Sequence, residues 1–146
     1  MYTNAKPSEE MALLATIDPV SQAAGTVTTG WVDQSVYLTM MAVIDVGVFG
    51  SSATVDAKLR QAQDNAGTNA KDITGKAITT LLAAGGNNRQ AIVNMKEADL
   101  DTENAFRYVQ LSITVGTAAT LIAAHLWGCT PRLGPVVNQA GVAQVI

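Results

Sequence analysis

Between Thr54 and Gln61 every second residue is apolar: Val55, Ala57 and Leu59 alternate with Thr54, Asp56, Lys58 and Arg60. A β-strand turns successive side chains to opposite faces, so this spacing gives one dry side and one wet side. Wound as a helix, the same segment puts Asp56, Leu59 and Arg60 on one stripe and has no coherent apolar face. Residues Phe106 to Val115 repeat the pattern, with Val109, Leu111, Ile113 and Val115 against Tyr108, Gln110, Ser112 and Thr114.

Two further segments are apolar at both alternating positions. In Tyr37 to Val46, Leu38, Met40, Ala42, Ile44 and Val46 share one side, and Tyr37, Thr39, Met41 and Val43 the other. Thr120 to Trp127 behaves alike. Strands of this kind are expected at the centre of a sheet, partly covered on both faces. Ala91 to Met95 reads as a shorter strand, and Ile73 to Leu82 as a strand whose Ala and Leu content also suits a helix.

Gly, Asn, Asp and Ser gather in Gly47–Ser52, Asp64–Asn69, Gly85–Asn88 and Asp99–Asn104, where they favour turns. Six to eight short strands between such turns predict an all-β chain. Each one-faced sheet must cover its apolar side with another, which gives a β-sandwich. At the N-terminus, polar Met1–Ser8 with Pro7 reads as a loose arm, and Glu9–Ile17 as a short helix or an extended piece ended by Asp18-Pro19. After Gly128, Pro131 and Pro135 argue against regular structure. The expected organisation is an N-terminal arm, 1–24, a sandwich domain, 25–130, and a C-terminal arm, 131–146.

Composition narrows the function. The 146 residues are 48% hydrophobic and 14% charged, against a charged share of about 25% in ordinary domains. That balance suits a surface partly covered by neighbours, or a plain Ala-rich surface. A net charge of −3 with nine scattered Lys and Arg residues forms no basic footprint, so no nucleic acid is expected as a partner. Apolar runs fall short of the ~20 residues of a membrane helix, and no secretory leader is visible. No membrane partner is therefore expected, and the chain is expected to be soluble. With Cys129 alone there is no intrachain disulfide, which is compatible with a reducing cytoplasm.

Catalytic chemistry finds few footholds. His125 is the sole histidine and sits in Ala-Ala-His-Leu-Trp without a nucleophile motif, so a structural role is expected. Cys129 is four positions away, unlike protease pairs drawn from distant segments, and is expected to be a packing residue. One His and one Cys do not make a zinc site. Glu97, Asp99, Asp101 and Glu103 lack the central Gly of a calcium loop and read as a solvated acidic turn. Asp45, on a mostly apolar strand, needs a partner if it is buried, and Arg107 or Lys58 could serve; it is read as a stability feature. Trp31, Trp127, Tyr37 and Tyr108 are weighed as a sugar-stacking platform, with core or rim packing preferred. No cofactor, metal, catalytic residue or small-molecule substrate is expected.

The run Gly25-Thr26-Val27-Thr28-Thr29-Gly30-Trp31-Val32-Asp33 leads into a strand ending Ala42-Val43-Ile44-Asp45-Val46-Gly47. Ala53-Thr54-Val55-Asp56-Ala57-Lys58-Leu59, Lys71-Asp72-Ile73-Thr74-Gly75-Lys76-Ala77-Ile78-Thr79 and Phe106-Arg107-Tyr108-Val109-Gln110-Leu111 follow. This series resembles small structural proteins of tailed phages and is similar to the jelly-roll decoration, or cement, proteins of phage heads. The similarity spans roughly Gly25 to Gly128 and is a texture of strands and turns.

The resemblance implies a jelly-roll-like homotrimer on the outer capsid surface, assembled in the host cytoplasm, with the major capsid protein as partner. The arms, residues 2–20 and 131–146, would then order on meeting capsid or sister subunits. The expected contact residues are Tyr2, Pro7, Leu13, Ile17, Arg132, Leu133, Val136 and Val137. Two alternatives stay open: a tail or head-tail joining protein, and a carbohydrate- or receptor-binding module.

Overall fold

The alternating segments form antiparallel strands in two sheets, in a computed structural model that describes residues 4–146. One sheet holds β1 (Met11–Gln22), β4 (Tyr37–Val46), β8 (Arg89–Lys96) and β10 (Thr120–Pro131), in the order β1-β10-β4-β8. The other holds β2 (Gly25–Thr28), β5 (Thr54–Ala62), β6 (Lys71–Ala77) and β9 (Tyr108–Gly116), in the order β2-β9-β5-β6. Two-residue strands complete it: β3 (Val32–Asp33) beside β9 and β7 (Leu81–Leu82) beside β5. With β3 and β7 set aside, the chain crosses between sheets at every step except β5 to β6. That winding is a jelly roll.

The core lies where the two inner faces meet. Met40, Ala42, Ile44 and Val46 of β4 and Ile122, Ala124 and Leu126 of β10 face Val55, Ala57 and Leu59 of β5 and Val109, Leu111, Ile113 and Val115 of β9. Each large member contributes about 1.5–3 kcal/mol of burial, which is why the two-residue period sets the register. At the start of β4 the alternation breaks: Tyr37 is buried, its ring over Gly128, and Leu38 is exposed instead.

Turn chemistry fixes the ends. After β5 the Asp64 carboxylate accepts hydrogen bonds from the amides of Ala66 (3.0 Å) and Thr68 (2.9 Å) and from the Thr68 hydroxyl (2.5 Å). Those bonds, the hydroxyl first, hold its pKa below the usual carboxylate value. In the same turn Gly67 has φ +84°, and a Cβ there would stand 2.7 Å from Trp31 Nε1. Only glycine lets this turn close against the indole.

The structure decides one open point and differs elsewhere. Residues 73–82 are extended in β6 and β7, not helical. Within the expected N-terminal arm, Pro7–Glu10 form a single helical turn and Met11–Gln22 become β1. β1 pairs with β10 from Met11↔Cys129 to Gln22↔Thr120 within one chain. The reason is physical: β1 covers the open edge of β10 and buries Ala12, Ala15 and Ile17. Ile17, at 5% exposure, is therefore a core residue and not a contact residue.

β10 ends at Pro131, and residues 132–146 have no regular secondary structure, but they are tethered. The Arg132 amide and Nε donate to the carbonyls of Val36 and Ser35, each at 2.9 Å. Farther on, the Gln139 amide donates to the Leu13 carbonyl (2.8 Å), and the Leu13 amide donates to Asn138 Oδ1 (2.7 Å).

Candidate interaction surface

The outer faces of the two sheets are chemically unlike. On the β2-β9-β5-β6 sheet, cross-strand pairing sets Thr26 beside Thr114 and Thr114 beside Asp56. The same pairing sets Ser112 beside Lys58 and Gln110 beside Arg60. Asp72 of β6 takes Lys58 at 2.7 Å and Arg60 at 3.5 Å, and Thr80 donates to Asp56. This face is polar throughout, with Gln110 and Ser112 buried at its centre.

The outer face of the β1-β10-β4-β8 sheet mixes apolar side chains with polar ones and carries few charges. One row across it reads Leu13, Trp127, Met41, Asn94, and the next Thr16, His125, Val43, Ile92. Ala123, Asp45 and Gln90 flank these on one side, and Met11, Cys129, Thr39 and Lys96 on the other. Ile92 is 58% exposed and Leu121, at the end of β10, 45%, while Met41, Val43 and Trp127 are half-buried. A shallow open depression of about 330 Å³, bounded by Pro19, Val20, Asp45, Leu121 and Ala123, lies at the Asp45 end. The signal for this face was the apolar character of both alternations in 37–46 and 120–127. A sandwich has two layers, so one side of those strands faces away from the core.

The ionisable groups on the face are few. His125 Nδ1 is 3.9 Å from the Asp45 carboxylate, too far for a hydrogen bond, and its ring lies 6.4 Å from that of Trp127. Both side chains are partly exposed, so His125 is neither a core residue nor part of a hydrogen-bonded triad. Burial pushes the Cys129 thiol up, away from the thiolate form that reacts.

Asp45 is 42% exposed on the outer face of its sheet and meets neither candidate cation; on the other sheet's side Arg107 pairs with Asp33 and Lys58 with Asp72. The acidic turn is likewise ion-paired: Lys76 meets Asp99 at 2.9 Å, Lys71 meets Asp101, and Arg132 meets Glu97. Among the described residues no group of three or more His, Cys, Asp or Glu side chains is placed to hold a metal.

The aromatic residues do not make one platform. Tyr37 is buried, and Trp127 lies on the opposite sheet from Tyr108. Trp31, between β2 and β3, is packed against Gly67 with the Arg60 guanidinium 6.0 Å above its ring.

The expected contact residues divide. Tyr2 lies outside the described residues. Pro7 is exposed on the helical turn, and Leu13 is half-buried on the apolar face. Arg132 is tied down as above. Leu133 (82% exposed) and Val137 (79%) stand in solvent, with Val136 half-buried between them.

No protein-family model and no curated protein matches the sequence. Among solved structures, the chain is similar to a chain of Broad bean stain virus, at a TM-score of 0.44 and 10% identity, covering 95% of this chain and 100% of that one. A chain of an empty virus-like particle of Cowpea mosaic virus gives a TM-score of 0.40 and 11% identity, covering 99% and 95%. Xylanase 10C of Cellvibrio japonicus gives 0.39 and 13%, covering 88% of this chain and 28% of that one. Likeness at this level carries no inference; the jelly-roll assignment rests on the strand order itself.

Proposed function

We propose that the chain is a structural component of a virus particle, specifically a decoration protein that binds the outer surface of a tailed-phage capsid and stabilises it. The observation that carries this reading is the inequality of the two outer faces. The hydrophilic β2-β9-β5-β6 face suits the outside of a particle. The β1-β10-β4-β8 face, with Trp127, Met41, Val43 and Ile92 at its centre, suits contact with neighbours, where covering its apolar side chains recovers about 25 cal/mol per Å².

Pro7, Leu13, Arg132, Leu133, Val136 and Val137 are the residues proposed to meet capsid or sister subunits. The homotrimer, the major capsid protein as partner and assembly in the host cytoplasm are part of the same proposal. A cap that touches several shell subunits at once gains by avidity even where each contact is weak.

The test is to mix purified protein with undecorated shells assembled from the major capsid protein of the phage that encodes it. Saturable co-sedimentation at three-fold positions, with shells that release their contents at a higher temperature, is the expected result. Absence of binding overturns the reading. Six- or twelve-fold rings at the head-tail vertex replace it with a joining protein. Binding on a glycan array that is lost in Trp31→Ala replaces it with a carbohydrate-binding module.

A further inference from the structure

The edges of the two sheets are not equally protected. β1 is met at Leu13 by Asn138 and Gln139. β2 has only four residues, and β6 is interrupted at Gly75, whose φ is +73°. β8 is different. Its eight residues, Arg89–Lys96, pair with β4 without a bulge and have no strand on their other side.

One hydrogen bond shows which backbone groups face outward. The Lys96 amide donates away from β4, to the Asp99 carboxylate at 2.7 Å. Backbone groups alternate in direction along a strand, so the N–H and C=O of Gln90, Ile92 and Asn94 point outward too. No backbone segment among the described residues meets them. A row of free donors and acceptors of this kind matches the main chain of another extended segment.

Charge selects the occupant. Lys58, Arg60, Lys71, Lys76, Arg107 and Arg132 each take a carboxylate. Arg89 and Lys96, the two ends of β8, enter no ion pair among the described residues. The Arg89 guanidinium lies over Gly85, and Asp99, close to Lys96, is held by Lys76 at 2.9 Å. A second copy of β8 would bring two more cations and no spare carboxylate, since Glu97 is taken by Arg132. Lysine on an edge strand discourages such self-pairing. A depression of about 240 Å³ bounded by Lys76, Asn94, Met95, Lys96 and Asp99 leaves room beside the edge for an incoming side chain.

We propose that β8 receives an extended acidic segment of another protein as a fifth strand of its sheet. The main chain of that segment pairs with Gln90, Ile92 and Asn94. Its carboxylates meet Arg89 and Lys96, which are seven positions or about 24 Å apart along the strand. The proposal goes beyond shell binding and does not depend on it.

The probe is a capped octapeptide, Glu-Val-Thr-Val-Thr-Val-Thr-Glu, added to the full-length chain. In the antiparallel register its end glutamates lie opposite Lys96 and Arg89, and its fifth residue lies opposite Ile92. Saturable binding is expected, with slower amide exchange at Gln90, Ile92 and Asn94. Ala91 and Val93, whose amides point to β4, should not change. A peptide with lysine at both ends should bind about tenfold more weakly, as should the chain carrying Arg89→Gln and Lys96→Gln. N-methylation of the fifth peptide residue, or Ile92→Pro in the chain, removes a main-chain donor and should abolish binding. Proline is tolerated where an edge amide faces outward, and a cooperative urea transition verifies that the variant folds. The methylated peptide makes the same test on the wild-type chain.

Four results overturn the proposal. The three amides stay unprotected at every peptide concentration; the glutamate- and lysine-ended peptides bind alike; the methylated peptide binds as well as its parent; or the three amides are protected in concentrated protein alone and lose that protection on dilution, which puts a second copy on the edge. No shells enter the experiment, so its failure leaves shell binding standing.

Discussion

Gly128 lies beneath the ring of Tyr37, and a Cβ there would stand 2.7 Å from two ring carbons and 2.8 Å from Leu14 Cδ1. Neither neighbour can withdraw easily, since Tyr37 is buried and Leu14 packs on the core. Gly128→Ala is therefore expected to destabilise the fold by about 1–3 kcal/mol, the usual range for overpacking. A lower urea midpoint with an unchanged m-value checks it. Charge at the rim makes a second prediction. Burial pushes the Asp33 carboxyl up, but hydrogen bonds from Ser35 and the Arg107 guanidinium outweigh it and hold the pKa below the ordinary value. Because the folded pKa is the lower one, the stabilisation is complete above the unfolded value of about 3.9 and is lost as pH falls through the folded value. Urea midpoints at pH 5, 4 and 3 should fall less steeply in Asp33→Asn than in the wild-type chain. Neither feature was legible in the sequence, where Gly128 read only as the end of a strand and Arg107 was one of two candidate partners for a buried Asp45.

Legibility rises at the scale of the strand, but unevenly. β5 and β9 stood out because one side of each is polar, so the two-residue period is written in polarity. β1 did not. Register shifts between Leu13 and Ala15 and between Ile17 and Val20 break its alternation, and Asp18-Pro19 falls in the second. A bulge sends consecutive residues to the same side, so a strand of this kind imitates an undecided segment. The bulge also explains the tail's anchor, since β1 is an edge strand and its backbone at Leu13 is left for another partner. Asn138 and Gln139 fill that place through one side-chain and one main-chain hydrogen bond, an accepted way of blunting an edge. Asn138→Ala is expected to cost about 1 kcal/mol, the net value of such a bond. Amide exchange should quicken at Leu13 far more than at Val109, inside β9.

For the molecule as a whole, the decisive fact is that the last strand in sequence is central in space. β10 sits between β1 and β4, pairing with both from end to end. Neither the first strand nor the third long one has its full set of hydrogen bonds until the chain is nearly complete. Alternation identifies a strand but says nothing of its neighbours, so this order could not be read from the residues. The same holds for the open face, which requires knowing that there are only two layers. A prediction separates the parts of the C-terminal region accordingly. A chain ending at Ala119 loses β10, leaves β1 without its sheet partner and uncovers Leu111 and Ile113 on the facing sheet. It is expected to lose its cooperative unfolding transition and to be cut throughout by protease at low concentration. A chain ending at Gln139 keeps β10 and both tethers, and should unfold within about 1 kcal/mol of the full-length protein, since exposed positions away from such features change stability by about half that. Non-local pairing of this kind also slows folding, into the millisecond-to-second range typical of β-sandwiches. The shortened chain that keeps β10 should refold at the full-length rate, because the seven residues removed make no contact on which closure of the sandwich depends.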